Sequence, residues 1–164
     1  MKIINKYNKR GFTLVEIIAV LFVVVVGLMG VLSLIVQNIQ SQSLNKNNLT
    51  AYQLAQEGME LVRKVRDSNW RNSNVWDKDL VAGSYYMDYS DSTPHILSAS
   101  TEGDLYKNSS GFYVHGGATE TPFNRTIEIA LIDADSMRVY IHITWSDHGR
   151  VFNYDLETIL YDWH

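Results

Sequence analysis

Glu16 is a carboxylate in oily company. From residue 12 to residue 36 only Thr13, Glu16 and Ser33 are polar. A lone acid deep in such a segment costs about 2–3 kcal/mol on membrane-insertion scales, so a cationic partner is expected for it. The nearest cations stand just upstream: Lys2, Lys6, Lys9 and Arg10 all lie in the first ten residues, which hold no acid. Reaching for interfacial water is the alternative use of such a side chain.

Other residues of chemical interest are scattered. His142 and His148 flank Asp147 in a way that invites a metal, but strand parity puts His142 on a solvent face. Ser, His and Asp are all present, yet no Gly-x-Ser-x-Gly elbow places a base beside a nucleophile. Asp88/Asp91 and Asp133/Asp135 could hold calcium, but neither has EF-hand spacing. Asp133-Ala-Asp135-Ser136 falls between two strands, where Asp and Ser are ordinary turn formers. Cysteine is absent, which excludes disulfides, thiolate zinc sites and thiol nucleophiles. No cofactor, catalytic residue or metal ligand is expected.

Charge narrows the partners. Four of the 14 basic residues sit in the leader, leaving 10 against 18 acidic residues over the rest of the chain. An acidic body of this kind lacks the clustered Lys and Arg that phosphate binding needs, so no nucleic-acid partner is expected.

The elements that must position Glu16 follow from pattern. Twenty-five residues at about 1.5 Å each exceed the ~30 Å hydrocarbon core of a bilayer, so residues 12–36 can form a transmembrane helix. The positive-inside rule then puts the N-terminus in the cytoplasm and the bulk outside. The run is longer than a secretory-signal core and no small-x-small cleavage site follows it.

The helix is expected to continue to about Asp67, with Leu44, Ala51, Tyr52, Ala55, Met59, Val62 and Val65 forming an apolar stripe. Glu60–Lys64 and Arg63–Asp67 are expected as i,i+4 pairs. No Pro interrupts residues 12–67, giving a rod of roughly 80 Å. Gly27 and Gly30 weaken the helix by about 1 kcal/mol each relative to Ala, or serve close packing.

Residues 68–82 read as a loop, with Trp70 and Trp76 as lids over a core. A first strand is expected over 83–89 and short extended pieces near 105–107 and 112–114. Three alternating strands close the chain at 124–132, 137–145 and 151–161, the last two joined by a turn containing Gly149. The fold class is α+β, a helix covering an antiparallel meander.

The stretch Arg10-Gly11-Phe12-Thr13-Leu14-Val15-Glu16, followed by an apolar helix, resembles the signal of type IV prepilins and pseudopilins. The run Ala55-Gln56-Glu57-Gly58 before a variable head, and the closing Arg-Thr-Ile, Val-x-Ile-x-Ile-x-Trp and Leu-Tyr-Asp-Trp strands, also resemble minor pilins and pseudopilins. The resemblance lapses over about 68–120.

It implies a type IV pilin-like fold, in which a long N-terminal transmembrane/spine helix packs on a C-terminal antiparallel β-sheet. It implies cleavage between Gly11 and Phe12 by a prepilin peptidase, N-methylation of Phe12, and neutralisation of that amine by Glu16 of a neighbouring subunit during filament assembly. The implied segments are a leader (1–11), a transmembrane half-helix (12–36), an amphipathic half-helix (37–67) and a β-sheet head (68–164).

The implied partners are the prepilin peptidase, other pilin or pseudopilin subunits, an inner-membrane assembly platform and membrane lipid. The protein would be a structural subunit of a type IV pilus or a type II secretion-like filament, not an enzyme. A single-span anchored binding domain that keeps its leader is the alternative.

Overall fold

The computed structural model describes residues 11–117 and 119–163. The leader cations Lys2, Lys6, Lys9 and Arg10 lie outside the described residues. The chain forms two compact units, Met1–Ser43 and Leu44–His164. One helix, α1 (Leu14–Arg71), contributes to both.

Within the first unit, α1 is apolar on every side and its large apolar side chains are exposed. The β-branched run Val23-Val24-Val25-Val26 would weaken a helix in water. A bilayer reverses that preference, because every backbone N–H and C=O must be bonded within the segment. Gly27 and Gly30 lie inside the helix, with open space where a Cβ would stand.

Within the second unit, residues 44–71 of α1 bury one face: Ala51, Leu54, Ala55, Gly58, Met59, Leu61, Val62 and Val65. The expected stripe is there, with two exceptions. Leu44 is only half-buried, and Tyr52 is exposed with its ring edge-on to Tyr154 at 5.8 Å.

The helix runs four residues past the expected end. It closes with Ser73 at positive φ, Asn74 N–H donating to Asn69 O (3.0 Å) and Ser73 N–H donating to Trp70 O (3.1 Å). That is the Schellman pattern with Ser in the position glycine usually takes. Trp70 is therefore helical and half-buried, whereas Trp76 is fully in the core. Asn69 fixes the following loop by donating to the carbonyls of Trp76 (3.1 Å) and Lys78 (2.7 Å).

Among the described residues, seven strands make one antiparallel sheet: β1 (Gly83–Tyr86), β2 (His95–Ile96), β3 (Asp104–Lys107), β4 (Tyr113–Val114), β5 (Thr119–Asp133), β6 (Ser136–Asp147) and β7 (Arg150–Tyr161). Only β5, β6 and β7 form the expected meander. The 15-residue β5 is long enough to take two short strands end to end on its other edge. β3 pairs with its first half (Asp104↔Asn124) and β1 with its second (Tyr85↔Ile127).

β2 extends β1 and β4 extends β3. β2 was not anticipated, and β1 stops at Tyr86 rather than residue 89, because Asp88 turns the chain. The β6–β7 hairpin turns through His148 and Gly149, both at positive φ, the signature of a type I′ turn.

The core lies between α1 and the sheet face carrying Phe123, Ile127, Ile129, Val139, Ile141, Ile143 and Trp145. Gly58 lets the helix approach the sheet: a Cβ there would stand 3.1 Å from Ile141 Cγ2 and 3.2 Å from Arg125 Cδ.

Candidate functional site

Gly11, Phe12 and Thr13 precede the helix in non-helical backbone, and all three are exposed. Thr13 acts as the helix N-cap. Its carbonyl accepts the N–H groups of Glu16 (3.1 Å) and Ile17 (3.2 Å), and its Oγ1 accepts Glu16 N–H at 3.3 Å. The sequence Thr13-Leu14-Val15-Glu16 has the spacing of a capping box, so the same four residues that define the motif also start the helix. That cap was readable from the sequence and passed unnoticed there.

Glu16 stands in the first helical turn, where the N-terminal end of the helix dipole favours an anion. Its carboxylate is exposed and has no hydrogen-bond or ion-pair partner among the described residues. Phe12, Glu16, Ile17, Val20 and Leu21 line one shallow groove along the helix. Chemically, this arrangement offers an accessible Gly11–Phe12 peptide bond, an unengaged carboxylate one turn beyond it, and an uncovered apolar helix after that.

Among the described residues, the other candidates make separate local contacts. His142 Nδ1 lies 2.9 Å from Asp155 Oδ1 and its Nε2 lies 3.5 Å from Glu128 Oε2. Each carboxylate meets a different ring nitrogen. His148 contacts only its neighbour Asp147, at 2.7 Å, from an exposed turn. No cluster of metal-ligating side chains occurs among the described residues.

The acid pairs serve turns. Asp133 Oδ1 accepts Asp135 N–H (3.0 Å) and Ser136 Oγ–H (2.8 Å), and the Ser136 bond holds the Asp133 carboxyl below its ordinary range. Asp88 accepts from Ser90 N–H (2.9 Å), Ser90 Oγ–H (2.6 Å) and His115 N–H (3.0 Å), while Asp91 accepts Asp88 N–H at 2.8 Å. Burial pushes the Asp88 carboxyl up, but these bonds outweigh it and leave its pKa low.

Two expected helix ion pairs are replaced. Arg63 pairs with Glu60 and Asp67 with Arg66, while Lys64 donates to the Tyr89 and Asp91 carbonyls (3.4 and 3.1 Å). Lys64 thus ties the helix to the loop after β1.

Sequence reading missed Arg125. Its side chain is wholly buried on the helix-facing side of β5. Nη1 donates to Leu54 O (3.1 Å) and lies 3.4 Å from Glu57 Oε1, and Nη2 donates to Met87 O (2.8 Å). Burial pushes the guanidinium pKa down and Glu57 pulls it back up. Arg125 shares strand parity with Ile127 and Ile129, and that was the available signal.

The family described as the prokaryotic N-terminal methylation motif matches residues 6–32 of this chain. No curated protein and no solved structure matches it. The motif covers Gly11, Phe12 and Glu16 and most of the apolar run 12–36, and with that helix it points to a single-pass membrane-anchored protein. A prepilin-type motif opening an apolar helix, whose later turns carry an antiparallel sheet, is a type IV pilin-like layout, and the motif supports a type IV pilin-like protein.

Proposed function

We propose that the chain is a structural subunit, a minor pilin or pseudopilin, of a type IV pilus or type II secretion-like filament. In this reading a prepilin peptidase cuts between Gly11 and Phe12 and the new terminus at Phe12 is methylated. Residues 12–36 then hold the subunit in the cytoplasmic membrane, with residues 68–164 outside.

Assembly proceeds by lateral packing of N-terminal helices, drawing on the inner-membrane platform and other subunits rather than on catalysis by this chain. Glu16 meets the Phe12 amine of a neighbour. In a dry helix bundle that pairing offsets two desolvation costs together and fixes axial register.

The observation that carries the reading is the motif match at residues 6–32 set directly on an uncovered apolar helix. Such a surface is unstable in water and needs lipid or other helices around it. Intact-mass and N-terminal analysis of native protein is the test. Mature protein starting at methylated Phe12 is expected. Protein that still starts at Met1 would instead make it an anchored domain that keeps its leader.

Glu16→Ala is expected to insert into membrane normally yet drop out of sheared filaments. Incorporation equal to wild type would remove Glu16 from the assembly role.

A further inference from the structure

The second unit contains a histidine that the filament reading does not use. His115 follows β4 in the turn before β5. Its backbone N–H donates to Asp88 Oδ2 at 3.0 Å, and its Nε2 lies 3.3 Å from the Met87 carbonyl. A carbonyl can only accept, so the neutral ring carries its proton on Nε2. Nδ1 is then a bare lone pair, buried and without a partner among the described residues.

The same Met87 carbonyl receives Nη2 of the buried Arg125 at 2.8 Å. One oxygen is thus shared between an imidazole and a permanent cation. The ring of Tyr86 closes the site edge-on at 5.1 Å and itself stacks on His95, also at 5.1 Å.

Each element around His115 supplies a charge or a dipole. β5 brings Arg125, and α1 brings Glu57 to that same guanidinium. The segment after β1 brings Asp88 and, one step out, Asp91 paired with His95 at 3.0 Å. β3 brings the backbone of Asp104. A second proton on His115 would land on the buried Nδ1 and would set a second cation beside Arg125, with the Asp104 backbone and Asp88 as the groups that favour it.

We propose that the His115–Met87 contact is an acid-sensitive latch that pins the 87–95 segment and the β4–β5 turn to the Arg125 clamp, and that protonation of His115 releases both. Two neighbouring features make release local. Met87 and Asp88 belong to no strand, and His115 sits between the two-residue β4 and the start of β5.

Burial, then Arg125, hold the imidazole below its ordinary range, against the smaller opposing pull of the Met87 carbonyl and Asp88. The fold therefore favours the neutral ring. Its contribution is complete above the unfolded imidazole value of about 6.5 and fades as pH falls toward the lower folded value.

Hydrogen exchange of the full-length protein in detergent micelles, corrected for the intrinsic pH dependence of exchange, tests the latch. Between pH 7.5 and pH 5, protection across 87–95 and 112–117 is expected to be lost, while β6 and β7 hold theirs. His115→Gln, which keeps an N–H for Met87 O but cannot gain charge, should abolish the pH response, whereas His95→Gln should keep it.

Unchanged protection in the wild type, or a response that survives in His115→Gln, overturns the proposal. Should His115→Gln fail to fold, direct NMR titration of the wild-type imidazole decides: a value at or above that of a free histidine overturns it too.

Discussion

At the scale of single residues, Arg125 is the costliest group in the globular unit and the best placed. A buried guanidinium needs its donors answered, and here two carbonyls and Glu57 answer Nη1 and Nη2, while Nε is buried without a partner among the described residues. Arg125→Met would remove the buried charge, which by itself favours folding. It would also leave Met87 O without its strongest donor and break the tie between α1 and the segment after β1. Met87 O would keep only the longer bond from His115 Nε2 (3.3 Å), and the lost charge-assisted hydrogen bonds cost about 1–3 kcal/mol. The burial gained by Met is smaller, because Arg125 already buries its alkyl stem. Destabilisation of about 1–3 kcal/mol is therefore expected from urea unfolding, with unchanged m-value. Equal or greater stability would mean that desolvation outweighs the clamp.

Arg125 also shows how far the sequence could be read. The alternation of β5 was plain, and extending its parity back two residues from Ile127 puts Arg125 inside. The stripe of 51–65 and the closing hairpin were legible for the same reason, since helical and strand periods repeat over many residues. The 86–96 segment was not legible. Its conformation is set by Asp88, Asp91, Lys64 and His115, partners up to 27 residues apart, and by pairing of a two-residue strand. No local period encodes contacts of that kind. At the N-terminus the motif was legible outright, and the capping role of Thr13 was present in the same letters.

At the scale of elements, the end of α1 offers a clean comparison of two effects. Ser73 holds φ at 55°, a left-handed conformation that costs an L-residue with a side chain roughly 1–2 kcal/mol. Glycine removes that cost but loses about 0.5–1 kcal/mol in unfolded-chain entropy. The strain term is the larger, so Ser73→Gly is expected to stabilise by roughly 0.5–1 kcal/mol. Thermal unfolding followed by circular dichroism would show it as a higher Tm.

Gly58 behaves in the opposite way. Its neighbours Ile141 Cγ2 and Arg125 Cδ leave no room for a branched side chain, and both are fixed by packing. Gly58→Val forces the helix off the sheet and is expected to cost about 1–3 kcal/mol, the usual range for overpacking. A variant as stable as wild type would show that α1 can shift on the sheet without loss.

At the scale of the whole molecule, the two compact units ask for different solvents. Among the described residues, every buried apolar residue, from Ala51 to Leu160, belongs to Leu44–His164, and the apolar side chains of residues 14–36 are exposed throughout. The globular unit's core includes a helix, a seven-stranded sheet and two buried Trp residues. At about 120 residues such a unit is large enough to fold through its own burial. Its lack of cysteine means that no oxidising compartment is required.

A fragment of residues 44–164 is therefore expected to be soluble and monomeric without detergent. It should show mixed helix and strand circular dichroism and a single cooperative urea transition, although its helix would fray over the first turns before Ala51. The full chain should need detergent or lipid to stay monodisperse. If the fragment were to aggregate or melt without cooperativity, residues 1–43 would be part of the folding unit. The division of labour between a lipid- or filament-facing helix and a self-sufficient globular unit would then fail.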